Sequence, residues 1–176
     1  TADGLERLAD FQHPDGGWAW WKDGRSDLFM TSYVVWGLGL ALEAEVEMNP
    51  GLLRRGRDFL AVNLVSAENQ HDLQAWMLHA ILSGGKDNLS PASLNALEVA
   101  WENLWQHRDV LNAYTRSLLA LVAHAGGRDD AALTLIRNLE NGVIRSNDPS
   151  TSRRLPGTLS GVSGATAHWG EDGIYH

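Results

Sequence analysis

The sequence predicts an all-α chain of helical hairpins, in which inner helices apolar on nearly every side alternate with outer helices that keep one wet face. Three observations carry this reading. A helical reading covers most of the chain, and segments apolar nearly all round alternate with segments whose apolar residues recur at three- and four-residue steps. Tyr33, Trp76 and Tyr114, each entering a Leu/Ala-rich turn, recur at steps of 43 and 38 residues, about one helical hairpin. Parallel inner helices at this spacing describe an α/α barrel, or an open arc of one, with all incoming loops at one end.

The elements follow in order. The chain opens Thr-Ala-Asp, without methionine and already in a helical pattern, so a piece processed or excised from a longer protein is expected. The stretch FQHPDGGWAWWKDGRSD, Phe11 to Asp27, holds three tryptophans among turn residues and fits neither helical nor strand periodicity. The segments Leu28 to Glu47, Leu73 to Ser83 and Val110 to Ala125 are the inner helices, apolar almost all the way round as helices buried on most sides must be. GLLRRGRDFLAVNLVSAEN, SPASLNALEVAWENLWQHR and DDAALTLIRNLENG are the outer ones, with Leu94, Leu97, Trp101 and Leu104 opposite Asn95, Glu98 and Glu102. Asp27, Ser90 with Pro91, and Asp109 read as helix starts, and Gly84-Gly85 and Gly126-Gly127 as helix ends. HWGEDGIYH should feed a further inner helix. A closed ring needs about twice this length at the repeat spacing, so an open arc is expected.

Composition bounds the function. A length of 176 residues with 44% hydrophobic content suits one domain, residues 1–176. A net charge of -8 and a pI near 5.2 argue against nucleic-acid or anionic-membrane partners, whose charge repels such a surface. The absence of cysteine removes disulfides, thiolate metal ligands and thiol nucleophiles from these residues. No apolar run approaches the roughly 18 residues of a membrane span, and no signal-peptide pattern opens the chain.

The candidate chemistry is sparse. His13, Asp15, His168, Asp172 and His176 carry metal-ligand atoms, yet form no recognised ligand spacing, and surface or capping roles are the favoured reading. Asp15 with Glu171 or Asp172 offers a carboxylate pair for glycoside hydrolysis, against which Asp-Gly-Gly is turn chemistry and Trp18, Trp20 and Trp21 read as packing. Ser160 and Ser163 lack a nucleophile-elbow motif. His71, His79, His107 and His124 have no carboxylate at useful spacing, and the basic run RRGRD reads as solvated outer-helix charge. No catalytic residue, metal or cofactor is assigned.

The run GLERLADFQHPDGGWAWWKDGRSDLFMTSYVVWGLGLALEA strongly resembles the thioester domain of bacterial alpha-2-macroglobulins, where Leu-x-x-Phe-Gln-x-x-Asp-Gly-Gly-Trp-x-Trp-Trp precedes a helix starting near Phe-Met-Thr-x-Tyr-Val-Val. AYTRSLLALVAHAGGRDDAALTLIRNL and HWGEDGIYH look like later parts of that domain. The resemblance implies an α/α toroid within a large secreted or periplasmic protein, in some cases a lipoprotein, that inhibits endopeptidases and is not an enzyme. Its partners there are proteases and the other domains of the parent chain. In that family bait cleavage exposes a Cys-Gln thioester, which a protease lysine attacks. The family's Cys-x-Glu-Gln motif lies before the region that this chain matches, and no cysteine is present here.

The resemblance further implies that Phe11, Asp15, Gly16, Gly17, Trp18, Trp20 and Trp21 form a rim on the thioester face, shielding the activated acyl group from water. The acyl-transfer histidine of complement relatives belongs to a connection that here is only SAENQHDLQ, so the role does not pass to His71. Terpenoid cyclases or prenyltransferase subunits share the toroid, but this chain has no Asp-x-Asp-Asp motif. Sugar-processing toroid enzymes and thioester-less interaction modules are the remaining alternatives.

Overall fold

Seven helices follow one another in this computed structural model, which describes residues 2–86, 89–146 and 166–170. They are α1 Ala2–Asp10, α2 Leu28–Glu43, α3 Pro50–Asn63, α4 His71–Leu82, α5 Pro91–Gln106, α6 Ala113–Ala125 and α7 Asp129–Asn141, with a 3-10 turn at Val65–Ala67. Two short strands, β1 Ile144–Ser146 and β2 Thr166–His168, pair antiparallel with Ile144 opposite His168.

Side chains of the predicted types set most helix starts. Asp27 accepts from the Met30 amide at 2.8 Å, and Ser90 accepts from Ser93 at 3.0 Å with Pro91 at the first helical position. Asp109 is not a cap. Asn112 takes that role, accepting from Thr115 at 2.8 Å, and residues 107–110 form a turn closed by Val110 on the His107 carbonyl, so α6 begins at Ala113. The first inner helix stops at Glu43 because Glu45 adopts a left-handed φ of 55°, which no helix can continue. Gly84, Gly85 and Gly127 have positive φ values that suit the predicted stops.

Packing sorts the helices into two layers. Helix α4 lies between α2 and α6, α3 and α5 cover this row, and α7 packs on α6. The row is parallel: the Trp36 and Trp76 rings meet at a tilt with centroids 5.7 Å apart and Gly39 abuts Ser83, while Asp72 meets Thr115 and Lys86 reaches the Gly126 carbonyl. Between the layers lie Val35, Leu38, Leu60, Met77, Leu78, Ile81, Leu104 and Leu119, each fully buried and each stabilising by roughly 1.5–3 kcal/mol. Buried Gln74 is satisfied by the Leu64 carbonyl and by Asn103.

The all-round apolar character of the inner helices has a different outcome in each. Helix α4 is covered on most sides, whereas α2 exposes Phe29, Tyr33 and Leu40, and α6 exposes Tyr114 and Leu121. No described element lies against that side of the row. One basic residue also departs from expectation. Arg54 and Arg55 are solvated outer-helix charges, but Arg57 of the same run is buried, because it points from α3 to the end of α4. No helix among the described residues is long and apolar enough to cross a membrane.

Candidate functional site

The aromatic stretch between α1 and α2 is a braced hairpin rather than a slack loop. The His13 amide donates to the Gly17 carbonyl at 2.9 Å and the Gly16 amide to the His13 carbonyl at 2.9 Å. Asp15 Oδ1 accepts from the Gly17 amide at 3.0 Å and from Ser26 Oγ at 2.8 Å. His13 Nδ1 lies 2.9 Å from the same Ser26 Oγ, and its Nε2 lies 2.9 Å from the Lys22 carbonyl. The two residues with metal-ligand atoms are therefore tied together through a serine, as turn chemistry.

Two glycines let this hairpin approach α3 and its own returning arm. At Gly16, φ is +93° and a Cβ would stand 2.4 Å from the Arg55 carbonyl oxygen. A Cβ at Gly17 would stand 2.6 Å from that of Ser26. Gln12 fixes the same contact by donating to the Gly16 carbonyl at 2.9 Å and the Leu52 carbonyl at 3.0 Å.

The three tryptophans divide by role. Trp18, 2% exposed, anchors the hairpin: its backbone N–H donates to Thr31 Oγ1 at 2.9 Å, and its indole N–H donates to the Leu8 carbonyl at 2.8 Å. Trp20 and Trp21, 64% and 80% exposed, stand in solvent. Packing thus accounts for Trp18 alone. Phe11 is partly exposed beside them, with the Lys22 ammonium 5.4 Å from its ring centroid. Rigid support beneath two exposed indoles makes this edge suited to covering something, since a mobile loop would lose entropy on doing so.

The hairpin sits at the N-terminal end of α2, and the N-terminal ends of α4 and α6 continue the same rim. There Asp72 accepts from Asn112 Nδ2 at 3.0 and 3.2 Å and from Thr115 Oγ1, joining α4 to α6. His71 and His107 rings lie 4.8 Å apart. Burial pushes the His71 imidazole below its usual range; the neighbouring His107 adds to this and Asp72 opposes it. Burial and then the Asp72 charge push the Tyr114 phenol up.

Other candidates separate. His79 stacks with Trp76 at 5.8 Å and is pushed down by burial. His124 does have a carboxylate, Asp129 at 3.0 Å, which the five-residue spacing across a helix break concealed, and both groups are exposed. Among the described residues, no group of three or more His, Asp or Glu side chains is placed to hold a metal ion. Ser160, Ser163, Glu171, Asp172 and His176 lie outside the described residues.

Comparison with known proteins gives the arrangement its context. No family model matches the chain. Over 57 residues, 32% of the chain, it is 44% identical to an alpha-2-macroglobulin of Thermotoga maritima, a stretch that is 4% of that protein. Its fold matches the crystal structure of native alpha-2-macroglobulin from Escherichia coli spanning domain MG7 to the C-terminus, with a TM-score of 0.61 and 20% identity. That match covers 79% of this chain and 22% of the Escherichia coli chain, and at such identity it bears on fold alone. The chain therefore spans a small part of the length of the proteins it matches. The aromatic hairpin, the helical row behind it and these two likenesses agree: the cysteine-free chain has the helical fold of part of a bacterial alpha-2-macroglobulin and is similar to that family in sequence over 57 residues.

Proposed function

We propose that residues 1–176 are an open arc of an α/α-toroid thioester domain in a protease-trapping protein of the periplasm or cell exterior. In this reading the residues Phe11, Asp15, Gly16, Gly17, Trp18, Trp20 and Trp21 make the rim of the thioester face. The observation that supports it is the pairing of buried Trp18 with exposed Trp20 and Trp21 on a braced hairpin at the N-terminal end of the helical row. The parallel row α2, α4, α6, backed by α3, α5 and α7, is the geometry an arc requires. Its bare apolar side and the exposed Leu121, Leu133 and Ile136 of α6 and α7 are where further hairpins of the parent would pack. The alpha-2-macroglobulin family generally inhibits proteases rather than catalysing turnover, and the chain takes the same role here.

The rim residues perform no bond making. Their part is to exclude water from an acyl group that hydrolysis would otherwise consume. Capture occurs when a protease lysine attacks the thioester carbonyl: the C–N bond forms, the C–S bond breaks, and the sulfur leaves as thiolate to take up a proton. Methylamine on the parent tests this. Mass spectrometry is expected to show the amine on the glutamine of an upstream Cys-x-Glu-Gln and one new free thiol, both lost when that cysteine is changed to alanine. A parent with no such motif and no adduct points instead to a steric trap or interaction module. Covalent capture at full yield after the cysteine change overturns the mechanism.

A further inference from the structure

A second site lies at the opposite end of the helices. A cavity of about 1110 Å³ opens between the C-terminal end of α2, the first turns of α3 and Gly84, and Arg57 forms part of its wall. Arg57 is 5% exposed. Its Nη2 donates to the Ser83 carbonyl, its Nε is buried without a partner, and no carboxylate among the described residues pairs with it. A guanidinium carries five N–H donors, and a buried one that no described carboxylate touches, with Nε unpartnered, is a costly arrangement that a native structure retains for a reason. Capping α4 through Ser83 accounts for one donor and no charge.

Glu43, Asp58 and Arg54 also line the cavity, and the two acids each make a contact away from Arg57. Glu43 Oε1 accepts from the Gly84 amide at 3.0 Å, and Asp58 Oδ1 lies 3.4 Å from Ser93 Oγ. The positive end of α3 faces the cavity and contributes a favourable field for an anion, although Asn49 occupies its first amides. Leu42, Val46, Met48, Leu53 and Leu89 supply an apolar lining. Exposed Glu45 and Glu47 stand at the mouth, where they repel a dianion more than a single charge.

We propose that this cavity binds an aliphatic monocarboxylate, its carboxylate against the Arg57 guanidinium and its alkyl chain along the apolar lining. Burial lowers the Arg57 pKa from its usual value, as an unpaired cation requires, and a bound carboxylate reverses that trend. Two parallel N–H···O bonds from one guanidinium suit a carboxylate, while the acidic mouth and apolar lining disfavour phosphate or sulfate.

Titration of the 176-residue chain with hexanoate, followed by amide and Arg Nε–H resonances, tests the assignment, with hexanol and inorganic phosphate as controls. Hexanoate is expected to shift Gly84, Leu89 and the Arg57 Nε–H saturably, and to bind at least about tenfold more tightly than either control. Arg57→Met is expected to lose at least about tenfold in hexanoate affinity, and the exposed double change Glu45→Gln with Glu47→Gln to gain. Equal binding of hexanol, no saturable shift, or shifts that bypass the Arg57 Nε–H overturn the proposal. The Nε–H readout on the unchanged chain decides the matter even where Arg57→Met does not fold.

Discussion

The indole of Trp18 fills the place where a side chain on residue 56 would stand. A Cβ at Gly56 would lie 2.8 Å from Trp18 Cζ3 and 2.7 Å from Val35 Cγ2, so the glycine in α3 is what lets the hairpin anchor reach the core. Gly56→Ala is expected to destabilise by about 1–3 kcal/mol through overpacking. Trp18→Ala, which empties the same place, is expected to cost about 3–5 kcal/mol. Urea unfolding followed by circular dichroism checks both.

The two exposed indoles predict the opposite. Trp20→Ser with Trp21→Ser removes little buried area, and the melting transition should move by no more than about 0.5 kcal/mol equivalent per site. Acrylamide should quench the fluorescence contributed by Trp20 and Trp21 and leave that of Trp18 shielded. Under the proposed rim role, the double change in a thioester-bearing parent should shorten the lifetime of the thioester without unfolding the domain.

At the junction of α4 and α6, Asp72→Ala strips the acceptor from Asn112 and Thr115 and should cost about 1–3 kcal/mol. Thermal unfolding measures it. Asn112→Asp is informative beside it, since it keeps the cap on α6 but sets two carboxylates against each other.

Acid should weaken the fold through His71 and His79. Both are held below the ordinary value of 6.5 in the folded chain, chiefly by burial, so the unfolded chain binds protons more readily than the folded one. Their contribution is fully present above about 6.5 and is lost as pH falls below it toward the folded values. A melting series between pH 7.5 and pH 5 should therefore slope downward, and His71→Gln with His79→Gln should flatten it. A steeper slope in that double variant contradicts the assignment.

Much of the fold was legible because it is local. Three- and four-residue steps located the outer helices and all-round apolar character the inner ones, and Asp27, Ser90-Pro91 and the paired glycines marked boundaries through short-range hydrogen bonds and φ preferences. Asp109 misled because Asn112, three residues on, offers the same acceptor nearer the apolar run. Glu43 ended a helix whose apolar pattern ran on to Glu47, since nothing in the pattern signals a left-handed glutamate at residue 45. What depended on distant partners was not legible. Arg57 looks like its neighbours Arg54 and Arg55 until Ser83 is placed beside it, and Trp18 looks like Trp20 until Gly56 is. A glycine in the middle of an outer helix, inside the basic run RRGRD, was the available hint that something large packs there.

The unequal surroundings of the helices also rank how readily each comes loose. Helix α4 touches α2, α3, α5, α6 and the 3-10 turn, whereas α7 packs chiefly on α6. Detaching α7 breaks one interface and detaching α4 breaks the whole assembly, so among α2 to α7 amide exchange should be slowest in 75–82 and fastest toward 129–141. The α6–α7 end of the row, with Leu121, Leu133 and Ile136 exposed, is consequently a place where the chain breathes, and a neighbour seated there would slow exchange through α7 before altering anything at the aromatic end.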